Sequence, residues 1–348
     1  MEKIKSVLYT HHMVDVKIET TTLSAEDNVE ATGPPRSNSF SLAHISDLHL
    51  TSLDNIKFSQ LFNKRILGYF SWLHKRRIVH RRDIIESLLH DLRITQPDHI
   101  AVTGDLTHLG LPMEYAEVSQ WLPSLGPPQQ VTVIPGNHEA YSGKNWFKSS
   151  ASWSQYLKSD TCLDSPKTAN FFPSLRIRGQ VALISLCSAR PSLPLLAIGS
   201  LGQEQLTVLE DLLQKTGKKG LLRIILIHHP PVSGTIKWRK RLTDSEPFAA
   251  VLARQGAELV LHGHAHTPLF SELPTPIGKI PVIGAPSASE LNPEAGKCAK
   301  YNIYRISQTG MNWQLNISVR GYSESLGRFV PEKEFSLPVP LLQNLTDQ

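Results

Sequence analysis

Metal-ligand residue types gather at five places where an apolar run stops: HISDLH at 44–49, VTGDLT at 102–107, IPGNHE at 134–139, LIHHPP at 226–231 and LHGHAH at 261–266. They offer Asp47 and His49, Asp105, Asn137, His228, and finally His264 and His266. Alternate residues of an extended segment point the same way, so the two pairs spaced by one residue can each face one site. Gly263 permits a sharp turn just before the last pair. Mixed carboxylate, amide and imidazole donors suit Mn²⁺, Fe or Zn²⁺ better than Ca²⁺, and they disfavour thiolate metals. Seven such ligands are too many for one ion with an open position and suit two divalent ions sharing Asp105.

Charge points to the chemistry. Two dications bring about +4 and the two aspartates return about −2, which leaves room for a phosphate oxyanion and a metal-bound hydroxide. That is the arrangement for in-line attack at phosphorus. His138 directly follows the amide ligand, so it can stand beside the metals without binding them and donate a proton to the leaving-group oxygen.

The elements that must position these groups alternate between strand and helix. Short strands are expected at Phe40–Ile45, His99–Val102, Val131–Ile134, Val181–Leu186, Leu222–Ile227 and Leu259–Leu261. Helices are expected from Asp83, where Ile84, Ile85, Leu88, Leu89 and Leu92 share a face, and at Tyr115–Leu122, Gly202–Leu213 and Phe248–Arg254. Two further strands are expected at Tyr301–Ile306 and Trp313–Val319. The alternation argues for an α/β fold with its ligands at strand C-terminal ends. Residues 1–38 mix Thr, Ser, Glu and Pro without periodicity and read as a flexible tail. The domain is expected over 39–325, with a Pro-rich tail trailing over 326–348.

The stretch LFNKRILGYFSWLHKRRIVHRR, 61–82, stands apart: it is basic, carries no acid and interleaves Tyr69, Phe70 and Trp72. A solvated basic helix, a cap over the site and an anionic-lipid contact are all consistent with it. Arg65, Trp72 and Arg76 are its candidate substrate contacts, with Arg241 after the HHPP motif as another. Stacking of nucleic acid on Trp72 is a weaker reading, because no known nucleic-acid module is evident.

Composition sets the frame. The 348 residues are 40% hydrophobic and 19% charged with a net charge of +5, ordinary for a globular chain and consistent with an anionic partner. Cys162, Cys187 and Cys298 form neither a CxxC pattern nor a disulfide framework. No run approaches a membrane span, and the N-terminus offers no signal-peptide apolar region, so a cytoplasmic chain is expected, with peripheral membrane contact through 61–82.

The ordered series D-x-H, G-D, G-N-H-E, H-x-P and G-H-x-H resembles the signature of the calcineurin-like metallophosphoesterase superfamily, in particular its bacterial single-domain phosphodiesterase-like members. The resemblance runs from Ala43 to His266. It implies a four-layer α/β/β/α sandwich with a dinuclear centre. Asp47, His49, Asp105 and His266 would hold one metal; Asp105, Asn137, His228 and His264 would hold the other. The H-x-P motif selects His228 over His229. Where the protein phosphatases of this family place an Asp that orients the catalytic histidine, this chain has His108. That departure argues against the Ser/Thr-phosphatase branch. The expected activity is therefore hydrolysis of a P–O bond in a phosphodiester or pyrophosphate, of nucleotide or lipid-linked nucleotide class. A phosphomonoesterase and a non-catalytic metal-binding scaffold are the alternatives. Glu139 is expected to stabilise its loop.

Overall fold

The computed structural model describes residues 39–54, 56–61, 64–141, 143, 146–160, 171–309 and 312–340. The tail expected at 1–38 lies outside them. The strands are β1 Phe40–Ile45, β2 His99–Val102, β3 Val131–Val133, β4 Ser174–Arg178, β5 Val181–Ser185 and β6 Leu222–Leu226. They continue as β7 Leu259–His262, β8 Leu269–Thr275, β9 Gly278–Gly284, β10 Lys300–Thr309, β11 Asn312–Ser323 and β12 Arg328–Pro340. The main helices are α1 Arg65–Ser71, α2 Arg82–Thr95, α3 Pro112–Trp121, α4 Gln203–Lys218 and α5 Ser245–Gln255.

Two six-stranded sheets form, in the orders β12-β11-β10-β1-β2-β3 and β4-β5-β6-β7-β9-β8. β1, β2 and β3 run parallel, as do β5, β6, β7 and β9. Side-chain alternation divides the second sheet between two cores. Val181, Leu183, Ile224, Leu226 and Leu261 share a core with Leu42, Ile45, Val102 and Val133 of the first sheet. The intervening Ala182, Ile184, Ile225 and Val260 pack with Leu206, Leu209 and Leu213 of α4 and Phe248 and Leu252 of α5. On the first sheet's side, α2 buries Ile84, Ile85, Leu88 and Leu92, each contributing about 1.5–3 kcal/mol of transfer free energy. The architecture is the expected four-layer α/β/β/α sandwich.

The C-terminal end corrects an expectation. Arg328–Pro340 is not a trailing tail but a 13-residue strand paired antiparallel with β11. Pro331, Pro338 and Pro340 are tolerated because β12 is an edge strand, where a missing N–H need not cost a ladder bond. The first sheet therefore continues to residue 340, and 341–348 lie outside the described residues.

Candidate metal centre

The centre is built where β1, β2, β3, β6 and β7 end. Each strand is pinned to the next as it leaves its sheet: Asp47 N–H donates to the Gly104 carbonyl at 3.0 Å, His49 N–H to Asp105 at 3.0 Å, and Gly263 N–H to His228 at 3.1 Å. His264 N–H donates to Asp47 Oδ2 at 2.9 Å, a tie between the two sheets. His138 N–H donates to Asp105 Oδ1 at 2.8 Å.

The backbone is strained at these residues. Asp47, His49, Asp105, His264 and His266 have φ of 53°, 44°, 56°, 69° and 56°, and they are five of the seven non-glycine residues with positive φ among those described. Each such conformation costs on the order of 1–3 kcal/mol, and it persists only where the surroundings impose it. Gly136 and Gly263 allow the close approach: a Cβ at the first would fall against Asp105 Oδ1, and one at the second against Ser46 Oγ.

The expected ligands converge. Asp47, His49, Asp105 and His266 each offer an atom within 4.8 Å of the others, as do Asp105, His228 and His264. Asp105 belongs to both groups. Asn137 joins the second, its Oδ1 lying 3.2 Å from His228 Nε2, which is also 3.3 Å from Asp105 Oδ2.

The outer partners set the histidine tautomers. His49 Nδ1–H donates to the Thr107 carbonyl at 2.9 Å and His228 Nδ1–H to the Thr103 carbonyl at 2.6 Å. A carbonyl only accepts, so both rings carry a hydrogen at Nδ1 and turn Nε2 inward. His266 Nδ1 meets Glu290 Oε2 at 2.8 Å. Such carbonyl and carboxylate partners are typical of metal-binding histidines. Buried His49 Nε2 has no hydrogen-bond partner, and a buried lone pair without a donor is costly unless a cation meets it. The donor set therefore fits two divalent cations.

Charge is already balanced by proton position. Burial alone would raise Asp47, yet His266, His228 and His49 hold its carboxyl well below the usual range. Burial would lower His228, but Asp105 and then Asp47 push it up to about 9. His266 is likewise raised by Asp47 and Glu290 against its burial. His49 and His264 are lowered, first by burial and then by neighbouring histidines.

His138 stands at the edge of this group, with Nε2 4.0 Å from Asp105 Oδ2. Its Nδ1–H donates to the His108 carbonyl at 2.5 Å. The orienting group is thus the backbone of the residue that replaces the phosphatase aspartate. Arg76 Nη1 lies 3.2 Å from the same Nδ1. Since that nitrogen already carries a hydrogen, Arg76 acts on the ring through charge. Burial, then Arg76 and His49, keep His138 neutral by lowering it well below the usual range.

Glu139 is a loop anchor. It accepts from the backbone N–H groups of Asp105, Leu106, Thr107 and Gly136, at 3.0, 2.9, 2.9 and 2.7 Å, and from Thr107 Oγ1 at 3.1 Å. One carboxylate thus joins the β2 and β3 exits.

The basic stretch divides in two. α1 runs on through a π-helical turn, Trp72–Arg76, into Arg77–Val79, a distortion frequent at functional sites. Arg76 reaches the edge of the centre beside His138. Trp72 does not: it is 2% exposed and packs with Leu53, Leu61, Leu109 and Leu111. The expectation of a substrate-stacking ring is corrected, because its apolar surface anchors the helix. Arg65 donates to the Leu109 and Gly110 carbonyls at 3.3 and 3.0 Å, which makes it a second anchor. Arg241 is exposed and donates to the Trp238 carbonyl at 2.7 Å. Its neighbour Lys240 is the one turned partly inward: burial lowers its ammonium, with Asp47 opposing and Arg76 adding to the shift.

Sequence reasoning missed His80 and Glu290. His80 groups with His49 and His266 within the same 4.8 Å, its Nδ1 2.8 Å from Ser289 Oγ. Neither residue belongs to a motif. The available signal was that both follow directly on an apolar or small-residue run.

Comparison with known proteins agrees with this geometry. The calcineurin-like phosphoesterase family matches residues 40–268. A probable cyclic nucleotide phosphodiesterase from Synechococcus sp. is 30% identical over 179 residues, 51% of this chain and 60% of that protein. The chain thus spans three fifths of that relative's length. A second probable cyclic nucleotide phosphodiesterase, from Vesicomyosocius okutanii, is 26% identical over 230 residues, 65% of this chain and 78% of the relative. Among solved structures, a dimetal phosphatase from Danio rerio shares the fold with a TM-score of 0.53 at 14% identity, covering 87% of this chain and 99% of that one. With the family match spanning both ligand groups and His138, the chain belongs to the calcineurin-like phosphoesterases.

Proposed function

We propose that the protein is a metal-dependent phosphohydrolase that cleaves a P–O bond of a phosphodiester or pyrophosphate at a dinuclear centre. The observation that carries this reading is the pair of ligand groups sharing Asp105. Asp47, His49, Asp105 and His266 would hold one divalent cation, and Asp105, Asn137, His228 and His264 the other. The cations, when bound, supply Lewis-acid polarisation of the phosphoryl oxygen and acidify the attacking water.

The protein's own groups do the rest. Arg76 offers a planar set of donors to a phosphoryl oxygen, and Lys240 adds positive charge from the opposite segment. His138, locked at Nδ1 by the His108 carbonyl, keeps Nε2 directed into the site. The charge of a bound phosphate offsets Arg76 and favours a proton at that nitrogen, from which it passes to the leaving-group oxygen. The absence of a phosphatase-type aspartate at His108 and the naming of two relatives as probable phosphodiesterases support a diester over a monoester.

The test is Mn²⁺-dependent hydrolysis of bis(p-nitrophenyl) phosphate beside the matching monoester. Diester turnover abolished in Asn137→Ala and impaired in His138→Ala is expected. Preference for the monoester would overturn the diester reading. Bound metal without turnover of either ester would leave the scaffold reading in its place.

A further inference from the structure

Eleven large apolar side chains are exposed among the described residues, and seven of them fall in three segments around the candidate centre. The helix 65–79 presents Ile66, Leu67, Phe70 and Ile78, with Phe70 52% and Ile78 69% exposed. The loop after β5 presents Leu193 and Leu195, the latter 84% exposed. The segment after the HHPP motif presents Trp238, 67% exposed.

These segments are tied together. Lys64 Nζ donates to the Ser192 carbonyl at 2.9 Å. Ala197 N–H donates to Arg239 at 2.9 Å and Gly199 N–H to Arg241 at 3.1 Å. They also reach inward: Arg76 of the helix meets His138, and Gly199 lies against the His229 ring, whose centroid is 4.4 Å from that of His264. The apolar groups therefore form a rim around the same site.

The charge of the rim has one sign. Residues 64–82, 190–199 and 232–243 contain no Asp or Glu. Lys75, Arg77, Arg190, Lys237, Arg239 and Arg241 are exposed there. From outside these segments, Asp54 reaches Arg77 at 3.5 Å, Asp83 reaches Arg81 at 2.5 Å and Glu117 reaches Arg82 at 3.4 Å. The helix is apolar on both sides, since Gly68, Trp72 and Val79 are buried while Ile66, Phe70 and Ile78 face outward. Exposed apolar side chains bordered by cations characterise helices that lie in a bilayer interface, and clustered Lys and Arg are drawn to anionic headgroups. No helix among the described residues is long and apolar enough to cross a membrane.

We propose that this rim seats the protein on an anionic phospholipid surface, with the candidate centre facing the headgroups. That it thereby brings lipid-borne phosphoesters to the site rests on the hydrolytic reading above; the docking itself does not.

The test is flotation of the full chain with vesicles of palmitoyl-oleoyl phosphatidylglycerol and phosphatidylcholine, compared with phosphatidylcholine alone. Binding to the anionic vesicles is expected, weakened by salt and at least tenfold weaker for Phe70→Ser/Leu195→Ser/Trp238→Ser. Lys75→Glu/Arg239→Glu should lose the anionic preference. Both variants should hydrolyse bis(p-nitrophenyl) phosphate at the wild-type rate, which shows that they fold. Absence of wild-type binding, or equal binding by the triple variant, would overturn the proposal. So would a dimer in light scattering that the triple variant abolishes without any vesicle binding, since the rim would then join two copies. Absence of diester turnover by a wild type that binds vesicles would count against the hydrolytic reading alone.

Discussion

His138 Nδ1 lies 2.5 Å from the carbonyl oxygen of His108, and this contact does with backbone what a side-chain carboxylate does in related phosphatases. The substitution at 108 therefore leaves the ring oriented. His108→Ala keeps the carbonyl, so its kcat should stay within about tenfold of wild type, whereas His138→Ala should lose roughly 10²–10⁴-fold. Steady-state kinetics with the diester separate the two. Equal losses would show that the His108 side chain matters more than its carbonyl.

Arg76 reaches the centre from a helix otherwise engaged in packing and surface contact. Arg76→Met should lower kcat/KM for the diester by roughly 10–100-fold, the worth of a hydrogen bond to a charged group. Because α1 is held by buried Trp72 and by Arg65, the melting temperature should barely move. A collapse of stability instead would make Arg76 a structural residue.

Gly136 has no room for a side chain, since a Cβ would meet Asp105 at both its carboxylate and its backbone nitrogen. Gly136→Ala should displace the shared ligand, reducing bound metal measured by elemental analysis and lowering activity at least about 100-fold. Retention of two metals per chain would show that the β3 exit can yield.

Glu139 satisfies four backbone donors and a hydroxyl in the interior. Glu139→Ala should destabilise the fold by about 3 kcal/mol or more, because buried donors lose a charged acceptor. Glu139→Gln, which keeps one accepting oxygen, should fall between. Urea unfolding at neutral pH measures both.

His99 gives a pH dependence remote from the centre. Its Nε2 lies 2.7 Å from Thr132 Oγ1, and burial, followed by Arg178 and Arg176, lowers it from 6.5 to about 3. The unfolded chain thus takes up a proton below pH 6.5 that the folded chain refuses until about pH 3. Stability from this group is complete above the higher value and falls as pH drops, by about 2 kcal/mol between pH 6.5 and 5. His99→Gln should lose that much less on acidification in urea unfolding. An unchanged slope would show that His99 is not held neutral.

The ligand types and their order were legible in the sequence because each single ligand or closely spaced pair is delivered by one strand end. An apolar run ending at Asp-x-His, Gly-Asp, Gly-Asn-His or His-x-His is a local pattern, and a strand end needs no distant residue to declare itself. The same locality made α2, α4 and α5 readable from their apolar spacing, and with them the α/β class. What the tertiary structure alone decided concerns residues whose role depends on a neighbour far along the chain. Trp72 reads as an aromatic contact until Leu53 and Leu109 enclose it. Lys240 rather than Arg241 is the residue turned partly inward, because of how its loop folds back. His80, Glu290 and the His108 carbonyl join the site from segments that share no motif. β12 looked like a tail because proline disfavours strands, and only its place at the sheet edge removes that penalty. Periodicity and spacing report what a residue does within its own element. Which elements meet, and so which lone pairs are left facing inward, is set by the packing of the two sheets.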